Sequence, residues 1–292
     1  MQVLRTIAEL FRWRVAAIPA VGFVPTMGYL HEGHLSLVRR ARAENSGVVV
    51  SIFVNPTQFG PDEDLQRYPR DLNRDLALLE TAQVDAVFTP EVDEMYPTGA
   101  STMVEVEALS SILEGASRPG HFRGVATVVC KLFHVVHPDR AYFGEKDYQQ
   151  LQVIQHMVHD LRMPIEVVGC PTIREPDGLA MSSRNVYLSP PERQAAAALS
   201  RGLSQAERLF KEGVWDVSRL QAEVQDMLDK EPLIRTDYVA IVHPHTLQPV
   251  VRLTAEGAVV CLAVWIGHTR LIDNIRLSGG ASCACGSPGY TS

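Results

Sequence analysis

Residues 27–34 read Met27-Gly28-Tyr29-Leu30-His31-Glu32-Gly33-His34, which places two imidazoles three positions apart just beyond an apolar run ending in Pro25-Thr26. Residues 21–24 read as a strand, Pro25 and Gly28 break it, and Leu35, Val38 and Ala41 carry the period of a helix. Both histidines then fall in the first turn of that helix, where backbone N–H groups are unpaired and the dipole favours an anion. His31 and His34 share a face. Imidazoles so placed can donate to phosphate oxygens whose charge grows in a transition state, and Gly33 between them leaves room for a ligand to approach. Two other readings stand beside this one. Histidines at helical spacing also serve as caps or surface residues, and a pair on one helix face can bind zinc, although the zinc-protease spacing is i, i+4 and no third ligand stands nearby in the sequence.

Composition frames that motif. With 292 residues, 46% hydrophobic and 21% charged, the chain is predicted to be globular with two domains. A net charge of −7 argues against a nucleic-acid partner, since such surfaces cluster Lys and Arg, so an anionic ligand must be held by local groups. The cysteines Cys130, Cys170, Cys261, Cys283 and Cys285 are odd in number and mostly widely spaced, which fits reduced thiols in a cytoplasmic protein. The apolar run 15–24 follows Arg12 and Arg14 like the core of a signal peptide, but Pro19 and Gly22 interrupt it and no small-residue cleavage site is convincing. No stretch reaches the roughly 18 apolar residues of a membrane span, so no membrane association is expected.

Farther along, strand-like runs alternate with amphipathic helical ones, the pattern of an α/β fold with a parallel sheet. Strands are expected at 47–54, 85–89, 140–143 and 165–170, and helices at 71–81, 123–136 and 148–161. The loop Gly144-Glu145-Lys146-Asp147 follows a strand, where open α/β sheets bind their ligands; Asp147 is equally placed to cap the next helix. Near 172–190 the chain becomes turn-rich, which suggests a boundary between a Rossmann-like catalytic domain (1–173) and a smaller α+β domain (174–278). The second is expected to hold helices near 191–211 and 217–229 and strands near 237–242 and 258–265. Residues 279–292, with Cys283 and Cys285, lack periodicity and read as a disordered tail.

Five ordered blocks, within a likeness running from about residue 6 to 276, resemble the pantothenate synthetase (pantoate–β-alanine ligase) family. They are Pro25-Thr26-Met27-Gly28 with His31 to His34, Asn55-Pro56-Thr57-Gln58-Phe59, Arg118-Pro119-Gly120-His121-Phe122-Arg123-Gly124, Phe143-Gly144-Glu145-Lys146-Asp147-Tyr148-Gln149-Gln150, and Asp177-Gly178-Leu179-Ala180-Met181-Ser182-Ser183-Arg184-Asn185. More broadly, H-x-G-H at a helix start with a later Ser-Ser-Arg segment is similar to the nucleotidyltransferase superfamily that includes class I aminoacyl-tRNA synthetases.

The resemblance implies a ligase that condenses (R)-pantoate with β-alanine at the expense of ATP. Pantoyl adenylate forms with release of pyrophosphate; the β-alanine amine then attacks its carbonyl, giving pantothenate, a coenzyme A precursor, and AMP. It implies ATP contacts from Met27, Gly28, Tyr29, Leu30, His31, Glu32, Gly33, His34, Gly144, Glu145, Lys146, Asp147, Ile173, Met181, Ser182, Ser183 and Arg184. Among these, His34, His31, Lys146 and Arg184 would be the catalytic groups, Asp147 would face the ribose, and Ile173 and Met181 would flank adenine through their backbones. Gln58 and Gln150 would bind pantoate, and Gln58 also β-alanine. Arg118, His121 and Arg123 either orient the carboxylate substrates or form a solvated loop. Magnesium is implied by the ATP chemistry, with no protein metal ligand named, as are a homodimer and closure of the small domain over ATP to keep water from the adenylate. Two rival readings stand against it. A fragment of an aminoacyl-tRNA synthetase is disfavoured by the acidic charge and the missing anticodon-binding region, and a nonenzymatic nucleotide sensor by the unbroken set of polar motif residues.

Overall fold

A computed structural model describes residues 1–15, 20–61, 63–254 and 256–278. The expected tail lies outside them. The first half alternates β1 (Gln2–Leu4), α1 (Ile7–Val15), β2 (Val21–Thr26), α2 (Glu32–Glu44), β3 (Gly47–Ile52), α3 (Leu72–Thr81) and β4 (Ala86–Phe88). Three single-turn helices follow, α4 (Val92–Met95), α5 (Glu107–Ser110) and α6 (Glu114–Ser117), then α7 (His121–Val136), β5 (Arg140–Gly144), α8 (Tyr148–Asp160) and β6 (Glu166–Cys170).

The six strands form one parallel sheet in the order β1-β4-β3-β2-β5-β6. Its strands are apolar on both sides because both faces are covered. Phe23 and Val49 pack with Leu10, Phe122, Val125 and Ile154 on one face, while Val24, Val48 and Val50 pack with Leu37, Val38, Ala41 and Leu79 on the other. The chain leaves β2 toward β3 on one side and later returns as β5 on the other. That switch in winding opens a crevice beyond the carboxyl ends of β2 and β5.

The second unit holds α9 (Pro190–Ala196), α10 (Ala198–Lys211), α11 (Val217–Asp229) and an antiparallel sheet of β7 (Ile234–Val242), β8 (Ala258–Ile266) and β9 (Thr269–Leu277), in that order. The helix expected over 191–211 is thus two helices, and β9 was not foreseen. Both faces of the sheet are buried. Val260, Leu262 and Val264 meet the helices of their own unit, whereas Val242, Val259 and Cys261 join the large core of the first. Arg270 of β9 reaches Glu114 of the first unit with an Nη2–Oε1 distance of 2.9 Å, and Tyr238 donates to the same carboxylate at 2.8 Å. Cys130, Cys170 and Cys261 are free thiols, and among the described residues no helix is long and apolar enough to cross a membrane.

Candidate active site

A cleft of about 230 Å³ lies beyond β2 and β5. From Thr26 the chain turns through Gly28 and Tyr29, both with positive φ (83° and 50°), a conformation that glycine adopts readily and tyrosine rarely. Asp75 of α3 compensates: its buried carboxylate accepts the backbone N–H groups of Tyr29 (2.7 Å) and Leu30 (2.8 Å). Nothing in the local sequence links Asp75 to the histidine loop.

His31 is the N-cap of α2, with extended backbone. Its Nδ1 accepts the N–H of Gly33 at 3.1 Å, and Nδ1 of His34 accepts the N–H of His31 at 3.3 Å. The capping and chemical readings therefore coexist. Because both Nδ1 atoms accept, each neutral ring carries its proton on Nε2, leaving two Nε2–H donors on rings whose centroids are 4.1 Å apart. Burial, then the Lys146 charge, pushes the pKa of His31 down to about 4; burial, then its neighbour His31, pushes that of His34 down to about 3. Gly33 lines the cleft and also serves the ring beside it. A Cβ there would lie 2.8 Å from His31 Cε1, so the glycine makes room for the histidine ring.

Lys146 and Asp147 line the same cleft from a 3-10 turn (Glu145–Asp147) that follows β5. Asp147 stands at the N-cap of α8 but makes no capping hydrogen bond; its carboxylate faces Lys146 Nζ at 3.4 Å. Burial raises its pKa, but Lys146 and Arg184 outweigh that and hold it below the usual range. Ser182, Ser183 and Arg184 enter from a second 3-10 turn (Ser183–Tyr187). Ser183 Oγ donates to the Tyr29 carbonyl at 3.2 Å, tying this turn to the histidine loop. The Met181 N–H donates to the Ile173 carbonyl at 3.0 Å, so each of these two residues keeps only one backbone group for a ligand.

Gln58 and Gln150 also line the cleft. Gln58 is fixed, its Oε1 accepting from Asn55 Nδ2 at 3.0 Å and its Nε2 lying 3.1 Å from Met27 Sδ, whereas no hydrogen bond holds the Gln150 amide among the described residues. Asn55, buried and accepting from Thr57 and Tyr96, and Tyr68, beneath Arg184 at 5.7 Å, are cleft residues that sequence reasoning missed. Asn55 stood within a quoted block and could have been found there; Tyr68 carried no signal.

Arg118 and His121 reach the cleft, but as a fixed network. Arg118 pairs with Glu63 at 2.5 Å and meets His121 Nε2 at 3.1 Å, while His121 Nδ1–H donates to the Gln58 carbonyl at 2.8 Å. Burial and then Arg118 lower the His121 pKa to about 4. Arg123 is exposed and lies outside the cleft. Five expected ATP contacts are likewise not brought into its lining: Gly28, Tyr29, Leu30, Glu32 and Glu145. Leu30 is core, Glu32 points outward to Arg39, and Gly28, Tyr29 and Glu145 shape the backbone around the site. Among the described residues no group of three or more His, Cys, Asp or Glu could hold a metal ion.

A family model described as pantoate–β-alanine ligase matches residues 2–276. The chain belongs to the pantoate–β-alanine ligase family. Membership makes it an enzyme, a ligase. It is 59% identical over 277 residues to a pantothenate synthetase of Roseiflexus castenholzii, covering 95% of this chain and 99% of that one. A crystal structure of pantothenate synthetase from Thermus thermophilus superposes with TM-score 0.91 at 55% identity, covering 96% of this chain and all of that one. The Francisella tularensis ligase, solved with β,γ-ATP and β-alanine, superposes with TM-score 0.79 at 36% identity, covering 96% and 99% of the two chains.

Proposed function

We infer that this member of the family joins (R)-pantoate to β-alanine through a pantoyl adenylate, forming pantothenate, AMP and pyrophosphate. The observation that carries the reading at the level of residues is the His31–His34 pair. Both Nδ1 atoms are occupied by backbone N–H groups, which leaves two fixed donors in a cleft that also holds Lys146, Ser182, Ser183 and Arg184.

In the first step a pantoate carboxylate oxygen attacks the α-phosphorus of ATP and the bond to pyrophosphate breaks. Negative charge shifts onto the leaving group. Nε2–H of His34 and His31 stabilise it without reorganising, because their rings are already fixed, while Lys146 adds its charge and Arg184 a fork that it shares with Asp64. Lys146 acts as a point charge and Arg184 as a planar fork on the β- and γ-phosphates, with the Ser182 hydroxyl and the Ser183 backbone N–H donating alongside, the Ser183 hydroxyl being held by Tyr29. Asp147 accepts from the ribose, and the one free backbone group of Ile173 and of Met181 faces adenine. Gln150, with its unengaged amide, and Gln58, through the second hydrogen of its Nε2, take the pantoate hydroxyls and carboxylate; Gln58 also meets β-alanine. In the second step the amine attacks the acyl carbonyl, AMP leaves and the amine loses a proton.

Asp147 is the one carboxylate among the described residues lining the cleft, too few for a protein-built magnesium cage. Magnesium would be held mainly by phosphate oxygens and water, as this ion commonly is. We assign residues 1–173 to a Rossmann-like catalytic domain and 174–278 to a covering domain. Closure of the covering domain over ATP would keep water from the adenylate. A cytoplasmic location is supported by three free thiols, and a homodimer by the family resemblance alone. The deciding experiment is AMP formation: it should require both pantoate and β-alanine, with pyrophosphate released on adding ATP and pantoate alone. Pyrophosphate release indifferent to pantoate would refute the reading.

A further inference from the structure

Lys146 has one side-chain partner, Asp147 Oδ1, at 3.4 Å. That contact is too long to aim an ammonium group tightly, so what the fold controls is where the side chain starts, and that is set by the backbone. The two peptide planes flanking its Cα carry the carbonyls of Glu145 and Lys146. Both carbonyls accept from a single group, the side-chain amide of Asn274 on β9, at 2.9 and 2.8 Å. An amide nitrogen has two hydrogens, and here both are used. Fixing both planes fixes φ and ψ of Lys146 and hence its Cα–Cβ direction.

Asn274 is itself fixed. Asp273, almost fully buried, accepts the Asn274 N–H at 2.8 Å and takes the Arg174 guanidinium on both oxygens, at 2.6 and 3.1 Å. Arg174 donates in turn to the Gly178 carbonyl at 3.0 Å, within the hairpin that carries Ile173 and Met181. Two consecutive polar residues of β9 thus hold the two loops that form the nucleotide side of the cleft.

We propose that Asn274 is a positioning residue for the known reaction, aiming Lys146 at the transferring phosphates from the second structural unit. The proposal rests on the reading of Lys146 given above, and a double-mutant cycle separates the two. Pantoate-dependent pyrophosphate release would be measured for the parent, Asn274→Leu, Lys146→Ala and the double variant. Asn274→Leu should lower kcat/KM for ATP by on the order of tenfold or more, the scale of a misplaced catalytic group, with the pantoate KM within about twofold. In the Lys146→Ala background the same change should cost less than about twofold, because its effect passes through the absent amine. Equal losses in both backgrounds would show a general structural role and overturn the proposal, as would no loss in the parent. A parent-like rate for Lys146→Ala alone would remove the lysine from the chemistry, and the proposal with it. If Asn274→Leu does not fold, Asn274→Asp enters the same cycle. It keeps the volume but sets a carboxylate against two carbonyls, and a parent-like rate for it would be equally fatal.

Discussion

Asp64 grips Arg184 in a two-point fork, Oδ2 to Nε at 2.9 Å and Oδ1 to Nη2 at 2.8 Å. This is the geometry in which a guanidinium binds a phosphate. Burial raises the Asp64 pKa, but the hydrogen bonds and charge of Arg184 outweigh it and hold the carboxyl below its ordinary range. The preceding acid, Glu63, engages Arg118 in the same way. Two consecutive carboxylates therefore neutralise two arginines of the cleft before any anion arrives.

Asp64→Asn should accordingly separate stability from nucleotide affinity. The amide keeps the shape and loses the charge, leaving a partly buried guanidinium short of its partner, which should lower stability by about 1–3 kcal/mol. A triphosphate then meets an uncontested fork. Calorimetry should give a lower Tm without ATP and a larger rise on adding it than in the parent, with KM for ATP lowered about threefold or more. A smaller rise than the parent's would mean that Asp64 orients Arg184 for the phosphates instead of competing with them.

The histidines predict a pH dependence of stability. His31, His34 and His121 fold as neutral rings, with pKa values pushed below the ordinary 6.5 to about 4, about 3 and about 4, in each case chiefly by burial. As pH falls below 6.5 the unfolded chain takes up protons that the folded chain refuses, so their contribution is full above pH 6.5 and is lost on acidification, toward about 4 for His31 and His121 and about 3 for His34. Tm should fall over that window, and less steeply for His34→Gln, which keeps a donor but does not titrate. Nitrogen NMR of the ligand-free protein should find the Nε2–H tautomer for His31 and His34; a proton on either Nδ1 would contradict the capping geometry.

The fold was legible where one local pattern determined one element. The helix behind His31, α11 and the loop at Gly144 all follow from period and punctuation, whereas Pro25 does not break its strand as expected: β2 runs on through Pro25 to Thr26 beside β3, since proline lacks the N–H but keeps the carbonyl. What escaped was encoded at a distance. β9 carries Asp273 and Asn274 as buried residues, which spoils its apolar alternation, and their partners Arg174, Glu145 and Lys146 lie about a hundred or more residues away. The division between α9 and α10 at Ala197 has no proline or glycine to announce it. In the site, His31 and His34 were readable as a pair, but the carboxylate that supports their loop sits on α3, and Asp64 lies in a segment without a motif.

Gly33→Ala tests the space that glycine leaves for the His31 ring. Alanine suits the first turn of a helix better than glycine does, which offsets the loss of the His31 cap, so Tm should stay about level. The new methyl group would stand 2.8 Å from His31 Cε1 and 2.9 Å from Nδ1, so the ring must rotate away and abandon the Gly33 N–H. Adenylate formation should fall by about tenfold or more, the effect of displacing one preorganised donor. If pyrophosphate release is unchanged while the helix is intact, the position of the His31 ring does not matter to the chemistry.

Gln150→Ala isolates acid selection from nucleotide binding. The Gln58 amide is already committed to Asn55 and Met27, so its truncation would disturb its neighbours as well as the substrate. Gln150 has no such obligation among the described residues, and it lines the cleft from α8, one helical turn beyond Asp147. Its removal should leave the fold intact and raise the pantoate KM by about tenfold, the worth of one or two neutral hydrogen bonds to a substrate, while KM for ATP moves by less than about twofold. Initial-rate measurements varying each substrate in turn give both numbers. Equal weakening of the two substrates would place Gln150 in the architecture of α8 rather than in contact with pantoate.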